Sequence, residues 1–175
     1  MNLYSAYYQG EDPFQIFNKV IPCAWPERLT QDNAIIFWGG EDISPSIYKQ
    51  HPVHARAPAK PSKRDAIETE MFLMAVKLGM PIIGICRGAQ LGCALNGGTL
   101  FQHLKDGHHS NHQVETKDGH VFITSSCHHQ ALNLENIPIE DYEHLAWDKV
   151  RLTHVYTDTT DFETTIPEVV YFKKT

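Results

Sequence analysis

Short apolar runs alternate with segments of helical spacing through the first hundred residues of the chain. Three compact runs, at 3–8, 33–40 and 81–85, are typical of strands buried on both faces of a parallel sheet. Between the last two, residues 63–80 (KRDAIETEMFLMAVKLGM) space their apolar side chains three and four positions apart, and Gly79 provides a C-cap. This alternation predicts an α/β fold.

Two further segments of this half have helical character. DPFQIFNKVI at 12–21 predicts a short helix entered through Asp12 and Pro13, and RGAQLGCALNGG at 87–98 predicts a helix ended by a pair of glycines. Between 49 and 63 the prolines and basic residues indicate an exposed loop.

The second half of the chain has the patterns of antiparallel strands. HQVETKDGHVFIT at 112–124 predicts a hairpin that turns at Asp118-Gly119. Further strands are predicted at 142–148 (YEHLAWD), 150–158 (VRLTHVYTD) and 168–174 (EVVYFKK). We therefore expect a single domain over residues 1–175, with a mostly parallel central sheet, helices on both faces and an antiparallel C-terminal extension.

Composition limits the class of protein further. The chain has 42% hydrophobic and 10% aromatic residues, which indicates a globular protein with a core. A net charge of −6 argues against a nucleic-acid partner. No apolar run is long enough to span a bilayer and no signal peptide is recognisable, so we expect a soluble, cytoplasmic protein without a membrane partner. Its four dispersed cysteines are expected to be free thiols.

The most informative motif is Gly-x-Cys-x-Gly at 84–88, directly after an apolar run and before a helix. This is the thiol form of a nucleophile elbow, in which Gly84 and Gly88 allow strand and helix to cross closely. Cys86 would be exposed on a strained turn, where the N-terminus of the following helix lowers the pKa of a thiol. We interpret Cys86 as a nucleophile rather than a buried small residue.

A second motif supports this interpretation. In FWGGEDISPSIY, at 37–48, two glycines follow an apolar strand, and a backbone amide at such a turn can stabilise an oxyanion. The amide of Arg87, next to the nucleophile, is the other expected donor.

Together, PIIGICRGAQLGCALNGGTLFQ, WGGEDISPSIY, RDAIETE and SSCHHQAL resemble the class I glutamine amidotransferase-like superfamily. The resemblance is strongest to the γ-glutamyl hydrolase branch, the peptidase C26 group that includes γ-glutamyl-GABA hydrolases, and runs from about residue 33 to 173. It implies a flavodoxin-like sheet. It also implies attack by a cysteine on a γ-glutamyl amide, a thioester resolved by water, and release of ammonia or an amine.

The resemblance also implies roles for single residues. Cys86 matches the nucleophile, and Gly40 and Arg87 match the two residues whose amides form the oxyanion hole. Gln90 matches a glutamine that lines the substrate pocket, and Gly39 is assigned to substrate binding with it.

Two more segments match the family. His128 and His129 lie in the CHHQ segment that borders the active site, and we assign both to the substrate pocket. The RD..E start of the helix at 63–80 matches a segment that we interpret as mainly structural, and it comprises Arg64, Asp65 and Glu68.

The resemblance implies a general base and its orienting carboxylate from a His-Pro-Glu motif on the last strand, which this sequence lacks. The Pro167-Glu168 pair is preceded by Ile166 rather than by a histidine. Three interpretations follow: the chain lacks the last segment, the protein is catalytically inactive, or His128 or His129 acts as the base.

Other kinds of site are less well supported. His103, His108, His109 and His112 lie within ten positions, but we interpret them as solvated loop histidines rather than metal ligands. We expect no cofactor, and no phosphate-binding glycine motif is present, so an ATP-dependent reaction would need a synthetase on another chain.

The sequence thus predicts hydrolysis of a γ-glutamyl amide, with a small γ-glutamyl molecule as substrate and a homodimer as one option. The alternatives are a glutaminase subunit of a synthetase, a non-catalytic binding module, and a redox-active thiol protein with unrelated substrates.

Overall fold

The computed structural model describes residues 1–7, 12–105, 110–149, 153–156 and 160–175, and it confirms the α/β fold class. Four parallel strands form the first sheet, in the order β2-β1-β3-β4. These strands are β1 (Leu3–Ala6), β2 (Val20–Cys23), β3 (Ala34–Phe37) and β4 (Ile82–Gly84).

Two α-helices follow the strands of this sheet. They are α1 (Lys63–Leu78), between β3 and β4, and α2 (Arg87–Leu95), directly after the elbow. The predicted cap of α1 is confirmed, because Gly79 ends it at φ +65°. At its other end Ser62 and Asp65 form a capping box, in which each side chain accepts a hydrogen bond from the other's amide.

The remaining strands pair antiparallel, as the sequence predicts for the second half. The largest of their sheets has the order β13-β10-β7-β8, and the others are β12-β11-β6 and β5-β9. Their bounds are β5 (Thr99–Phe101), β6 (His103–Leu104), β7 (His112–Thr116), β8 (Val121–Thr124), β9 (Ala131–Asn133), β10 (Tyr142–Asp148), β11 (Thr153–Tyr156), β12 (Asp161–Thr164) and β13 (Pro167–Phe172).

The hairpin predicted at 112–124 is confirmed, with β7 and β8 paired antiparallel and Gly119 at φ +85° in the turn. The strand predicted at 150–158 is confirmed over Thr153–Tyr156, and its residues 150–152 and 157–158 lie outside the described part of the chain. Two 3₁₀ turns complete the described elements, at Pro26–Arg28 and Ile139–Asp141.

The helix predicted at 12–21 is wrong. The Asp12 carboxylate accepts hydrogen bonds from the amides of Phe14 (2.9 Å) and Phe17 (2.8 Å), and this closes a turn instead of starting a helix. The residues that follow form β2, which lies parallel to β1 at the edge of the sheet.

The two faces of the parallel sheet are covered differently. Side chains of both helices pack with Ile35 and Phe37 in the largest core cluster. On the opposite face Ile36 belongs to a smaller cluster, against which Phe17 and Trp38 pack. In the described residues both α-helices thus contribute to the same cluster, whereas the sequence indicated helices on both faces. The difference arises because the segment at 12–21, which was expected to be a helix, forms a turn and then β2.

The edges of two sheets face a common groove. Within the described residues β4 pairs only with β3, and β13 pairs only with β10. A cavity of about 220 Å³ separates the free edges, lined by Ile82 and Gly84 of β4 and by residues 169–172 of β13.

None of the helices that the structure describes has the length and apolar character needed to cross a bilayer.

Candidate active site

Cys86 lies at the turn between β4 and α2, with φ at +53°. A positive φ is strained for cysteine, and the close packing of its neighbours maintains it. A Cβ on Gly88 would lie 2.1 Å from the carbonyl oxygen of Phe37, and one on Gly84 would lie 2.6 Å from the Gly88 backbone. Both positions therefore require glycine.

The residues expected to form the oxyanion hole surround the Cys86 sulfur. The backbone amides of Arg87 and Gly40 both hydrogen-bond this sulfur. Gly39 packs beside it, since a Cβ there would lie 3.7 Å from Sγ. Two convergent amides at one thiol form an anion-binding arrangement, which suits the oxyanion of an acyl-transfer reaction.

The ionisation of Cys86 differs from the sequence-based expectation. Burial raises the pKa of the Cys86 thiol above its ordinary value, while the hydrogen bonds from the Arg87 and Gly40 amides oppose this effect. The nearby charges of Cys127 and Asp42 raise the pKa further. The prediction of a lowered thiol pKa is therefore wrong, because desolvation outweighs the helix N-terminus. At neutral pH the thiol needs a base.

Buried ion pairs fix the position of α2 relative to α1. The Arg87 side chain is fully buried and donates to Asp65 over 2.6 Å and to Glu68. Glu68 also accepts from Arg64 Nε over 2.9 Å. The side chain of the residue after the nucleophile is thus clamped by the RD..E segment, which agrees with the structural role expected for it.

Arg64 extends this clamp to the double-glycine loop. Its Nη2 donates to the carbonyl oxygens of Trp38 (3.3 Å) and Gly39 (3.1 Å). A Cβ on Gly40 would lie 2.3 Å from Arg64 Nη1, so only glycine fits beside this guanidinium. Because Gly40 carries one of the two amides at the Cys86 sulfur, Arg64 positions that amide.

The Cys86 side chain faces a cavity of about 300 Å³. This is near the lower end of the size of small-molecule sites in proteins. Gln90 and His128 line the cavity. The wall also contains Cys127 and Glu168.

His129 does not line this cavity. Its Nε2 donates to Asp42 over 2.8 Å, and both side chains are nearly buried. Asp42 also accepts from the backbone amide of Arg56. The assignment of His129 to the substrate pocket is therefore not supported by its position, and the residue instead ties the double-glycine loop to the segment before β9.

Sequence reasoning missed a second, largely shielded pair, between His112 and Glu168, which lie 3.0 Å apart with side chains 10% and 13% exposed. The interpretation of His112 as a solvated histidine is wrong. His103 is also shielded, since its ring contacts those of His129 and Tyr156, while His108 and His109 lie outside the described residues.

No local sequence pattern signals the missed pair, because its members are 56 positions apart. His112 is the first residue of β7, and Glu168 follows Pro167 at the start of β13. Only the pairing of distant strands through β10 brings the two side chains together.

In the part of the chain that the structure describes, no three metal-binding side chains are grouped so as to hold an ion.

Comparison with known proteins gives one family and a set of relatives. The sequence profile of the family described as peptidase C26 matches residues 23–157. A protein of Mycobacterium tuberculosis named putative glutamine amidotransferase is 37% identical over 123 residues, which are 67% of this chain and 39% of that protein. The protein NtpR of Enterococcus hirae is 30% identical over 139 residues, 65% of this chain and 58% of its own length.

Another kind of relative matches a shorter part of the chain. The carbamoyl phosphate synthase small chain of Buchnera aphidicola is 45% identical over 65 residues, which are 36% of this chain and 16% of the small chain. The chain thus spans well under two thirds of the length of each of these three relatives.

Proposed function

Because the chain belongs to the peptidase C26 family, we propose that it hydrolyses a γ-glutamyl amide through a thioester on Cys86. The substrate is glutamine or a γ-glutamyl amine or peptide. The observation that carries this proposal is the Cys86 sulfur, which faces a cavity and receives hydrogen bonds from the amides of Arg87 and Gly40. A thiol between two such donors is suited to acyl transfer.

The reaction proceeds in two stages. The Cys86 thiolate attacks the γ-carbonyl carbon, a C–S bond forms, and the carbonyl oxygen becomes an oxyanion between the amides of Arg87 and Gly40. The C–N bond then breaks, and ammonia or the amine leaves with a proton. Water attacks the thioester in the second stage, which releases glutamate and the free thiol.

The pocket supports a polar substrate of small size. Gln90 and His128 present polar groups on the wall that carries Cys86, and Gly39 leaves room beside the sulfur. We assign these three residues to binding of the glutamyl group. The amine half would contact other lining residues, which include Ser125 and Glu168.

A base is required because burial raises the pKa of the Cys86 thiol. Within the described residues His128 is the candidate on the cavity wall. Its Nδ1 lies 2.8 Å from the carbonyl oxygen of Gln130 and must donate to it, so Nε2 is the acceptor nitrogen of the neutral ring.

The family resemblance implies another source for the base, a histidine on a strand with the sequence His-Pro-Glu. The groove between β4 and β13 supports this source, because each of its walls is an unpaired strand edge in the described residues. A strand in that groove would pair with both edges and pass beside the elbow. We propose that a histidine on such a strand is the main base, and that His128 is the substitute.

A second role within the same chemistry is a glutaminase subunit. The similarity to proteins named carbamoyl phosphate synthase small chain favours this role, because that name describes one subunit of a synthase. In this role the ammonia would pass to a synthetase on another chain.

We propose the cytoplasm as the location, because the described thiols are all free, as is usual in reducing compartments.

The test is release of glutamate from glutamine and from a γ-glutamyl anilide, with Cys86→Ala beside the unchanged protein. We expect hydrolysis by the unchanged protein and none above background by Cys86→Ala. Equal rates for the two proteins would overturn the proposal. Hydrolysis that appears only with an added synthetase would favour the subunit role, and absence of both hydrolysis and γ-glutamyl labelling at Cys86 would leave a binding module.

A further inference from the structure

Two thiols face the cavity beside the elbow. Cys86 and Cys127 both line it, and they belong to different segments of the chain. Cys86 is partly exposed and Cys127 is exposed, so small solutes reach both sulfurs. The proposed hydrolysis uses Cys86 and leaves Cys127 without a role.

Electrostatics supports their proximity. Burial is the main cause that raises the pKa of the Cys86 thiol, and the charge of a Cys127 thiolate adds to that increase. Such an effect requires the two sulfurs to lie near each other, because charge interactions weaken with distance and are screened by water.

We propose that Cys86 and Cys127 form a reversible disulfide when the protein meets a peroxide, and that this bond blocks the nucleophile and narrows the cavity. The bond would be a covalent modification of the nucleophile by a reaction other than hydrolysis. It depends on the two thiols alone, and it stands whether or not the protein hydrolyses γ-glutamyl amides.

The chemistry balances with hydrogen peroxide as the oxidant. The Cys86 thiolate attacks one peroxide oxygen, the O–O bond breaks, and Cys86 becomes a sulfenic acid while hydroxide leaves and is protonated to water. The Cys127 thiolate then attacks the sulfenic sulfur, an S–S bond forms, and the S–O bond breaks with release of a second water. Two thiols and one peroxide thus give one disulfide and two waters.

The segment that carries Cys127 lies outside the strands. Residues 125–127 lie between β8 and β9 and belong to no strand, so a shift of this segment disrupts no sheet hydrogen bonds. A disulfide needs the two Cα atoms within about 4.4–6.8 Å of each other. Cys86 is fixed by the elbow, and Cys127 is therefore the partner that moves.

The other cysteines provide an internal contrast. Cys93 is buried and its pKa is raised to about 12 by burial, and its thiol contacts the carbonyl oxygen of Thr99. Cys23 is buried and donates to the carbonyl oxygen of Trp25 over 3.3 Å. Inaccessible thiols react slowly, so oxidation is expected to be confined to the cavity.

The experiment treats the reduced protein with hydrogen peroxide at mildly alkaline pH and follows its intact mass, then maps the peptides without reduction. We expect a monomer lighter by two hydrogen atoms and a single linked peptide that joins Cys86 to Cys127. Dithiothreitol should restore the original mass and the reactivity of Cys86 toward an alkylating reagent.

Two variants separate this proposal from unspecific oxidation. Cys127→Ser should form no disulfide and should accumulate a sulfenic acid at Cys86 that dimedone traps. Cys86→Ser should form no intramolecular disulfide, because Cys127 then has no second thiol in the cavity. The proposal fails if the unchanged protein accumulates the trapped sulfenic acid as Cys127→Ser does, if a linkage joins two chains, or if Cys23 or Cys93 is linked instead.

Discussion

The strained turn at Cys86 depends on the absence of a side chain at Gly88. The helix α2 approaches β3 so closely that a Cβ at this position would lie 2.1 Å from the Phe37 carbonyl oxygen. That oxygen accepts the amide of Ile85, which holds β4 beside β3 just before the nucleophile. A side chain at residue 88 would therefore displace the turn that presents the thiol.

We expect Gly88→Ala to lower the free energy of unfolding by about 2–4 kcal/mol, as steric strain in a packed site usually does. The matched control is Gly92→Ala in the same helix, where the nearest atom to a new Cβ is 3.8 Å away. This control should raise stability by about 0.5–1 kcal/mol, because alanine is the better helix residue. Urea unfolding measures both, and equal effects of the two substitutions would contradict the close-packed turn.

Several roles of single residues could be predicted from the sequence, and others could not. The elbow and the glycines beside it are local patterns, so the positions of Cys86 and Gly40 followed from short motifs. The pairing of His129 with Asp42 joins residues 87 positions apart, and that of His112 with Glu168 joins residues 56 apart. No local pattern carries such information, which arises only from sheet topology.

At the level of whole elements, the two helices are held by charges as well as by apolar contacts. Arg87 at the start of α2 is fully buried and binds Asp65 and Glu68 of α1. A buried pair of this kind gives little net stability, but removal of one partner leaves charge that is buried without compensation. The clamp therefore fixes the angle at which α2 meets the Cys86 turn.

Arg87→Met removes the positive charge while it preserves much of the side-chain volume. We expect a loss of about 3–5 kcal/mol in the free energy of unfolding, because both carboxylates lose a buried partner. The control is Lys117→Met, which breaks the exposed pair with Glu143 and should leave the unfolding midpoint nearly unchanged. A similar small effect of both substitutions in urea unfolding would show that the clamp does not hold α2.

Element prediction succeeded where the sequence pattern was long or locally unambiguous. The helix at 63–80 has four turns and both caps, and the hairpin at 112–124 has a glycine at its turn. The segment at 12–21 was misread because an aspartate followed by a proline begins both helices and Asx turns. Pairing of the next residues with β1 decided between the two structures, and this is a tertiary effect.

At the scale of the whole molecule, two sheets meet around one cavity. The parallel sheet positions the thiol just after the end of β4, and Glu168 of β13 in the antiparallel sheet lines the same cavity. The groove between these strands leaves two edges unpaired in the described residues. The match to two relatives covers 67% and 65% of this chain but only 39% and 58% of those relatives.

The proposed function needs two properties of this site. Recognition of a glutamyl group would depend on the cavity beside Cys86, while ionisation of the buried thiol would depend on a base. Since burial raises the thiol pKa, reaction with an electrophile should accelerate with pH beyond the ordinary thiol range. Recognition should nevertheless be measurable without a base.

The most direct test is therefore the labelling of the protein by an electrophilic analogue of L-glutamine, such as a diazo ketone, beside its D-enantiomer across a range of pH. The site and the rate are read by intact mass and peptide mapping. We predict one label per chain, on Cys86 and not on Cys127, with the L-form faster than the D-form and the rate rising with pH. Labelling at equal rates by both enantiomers, or on Cys127 in place of Cys86, would contradict a γ-glutamyl site at this elbow.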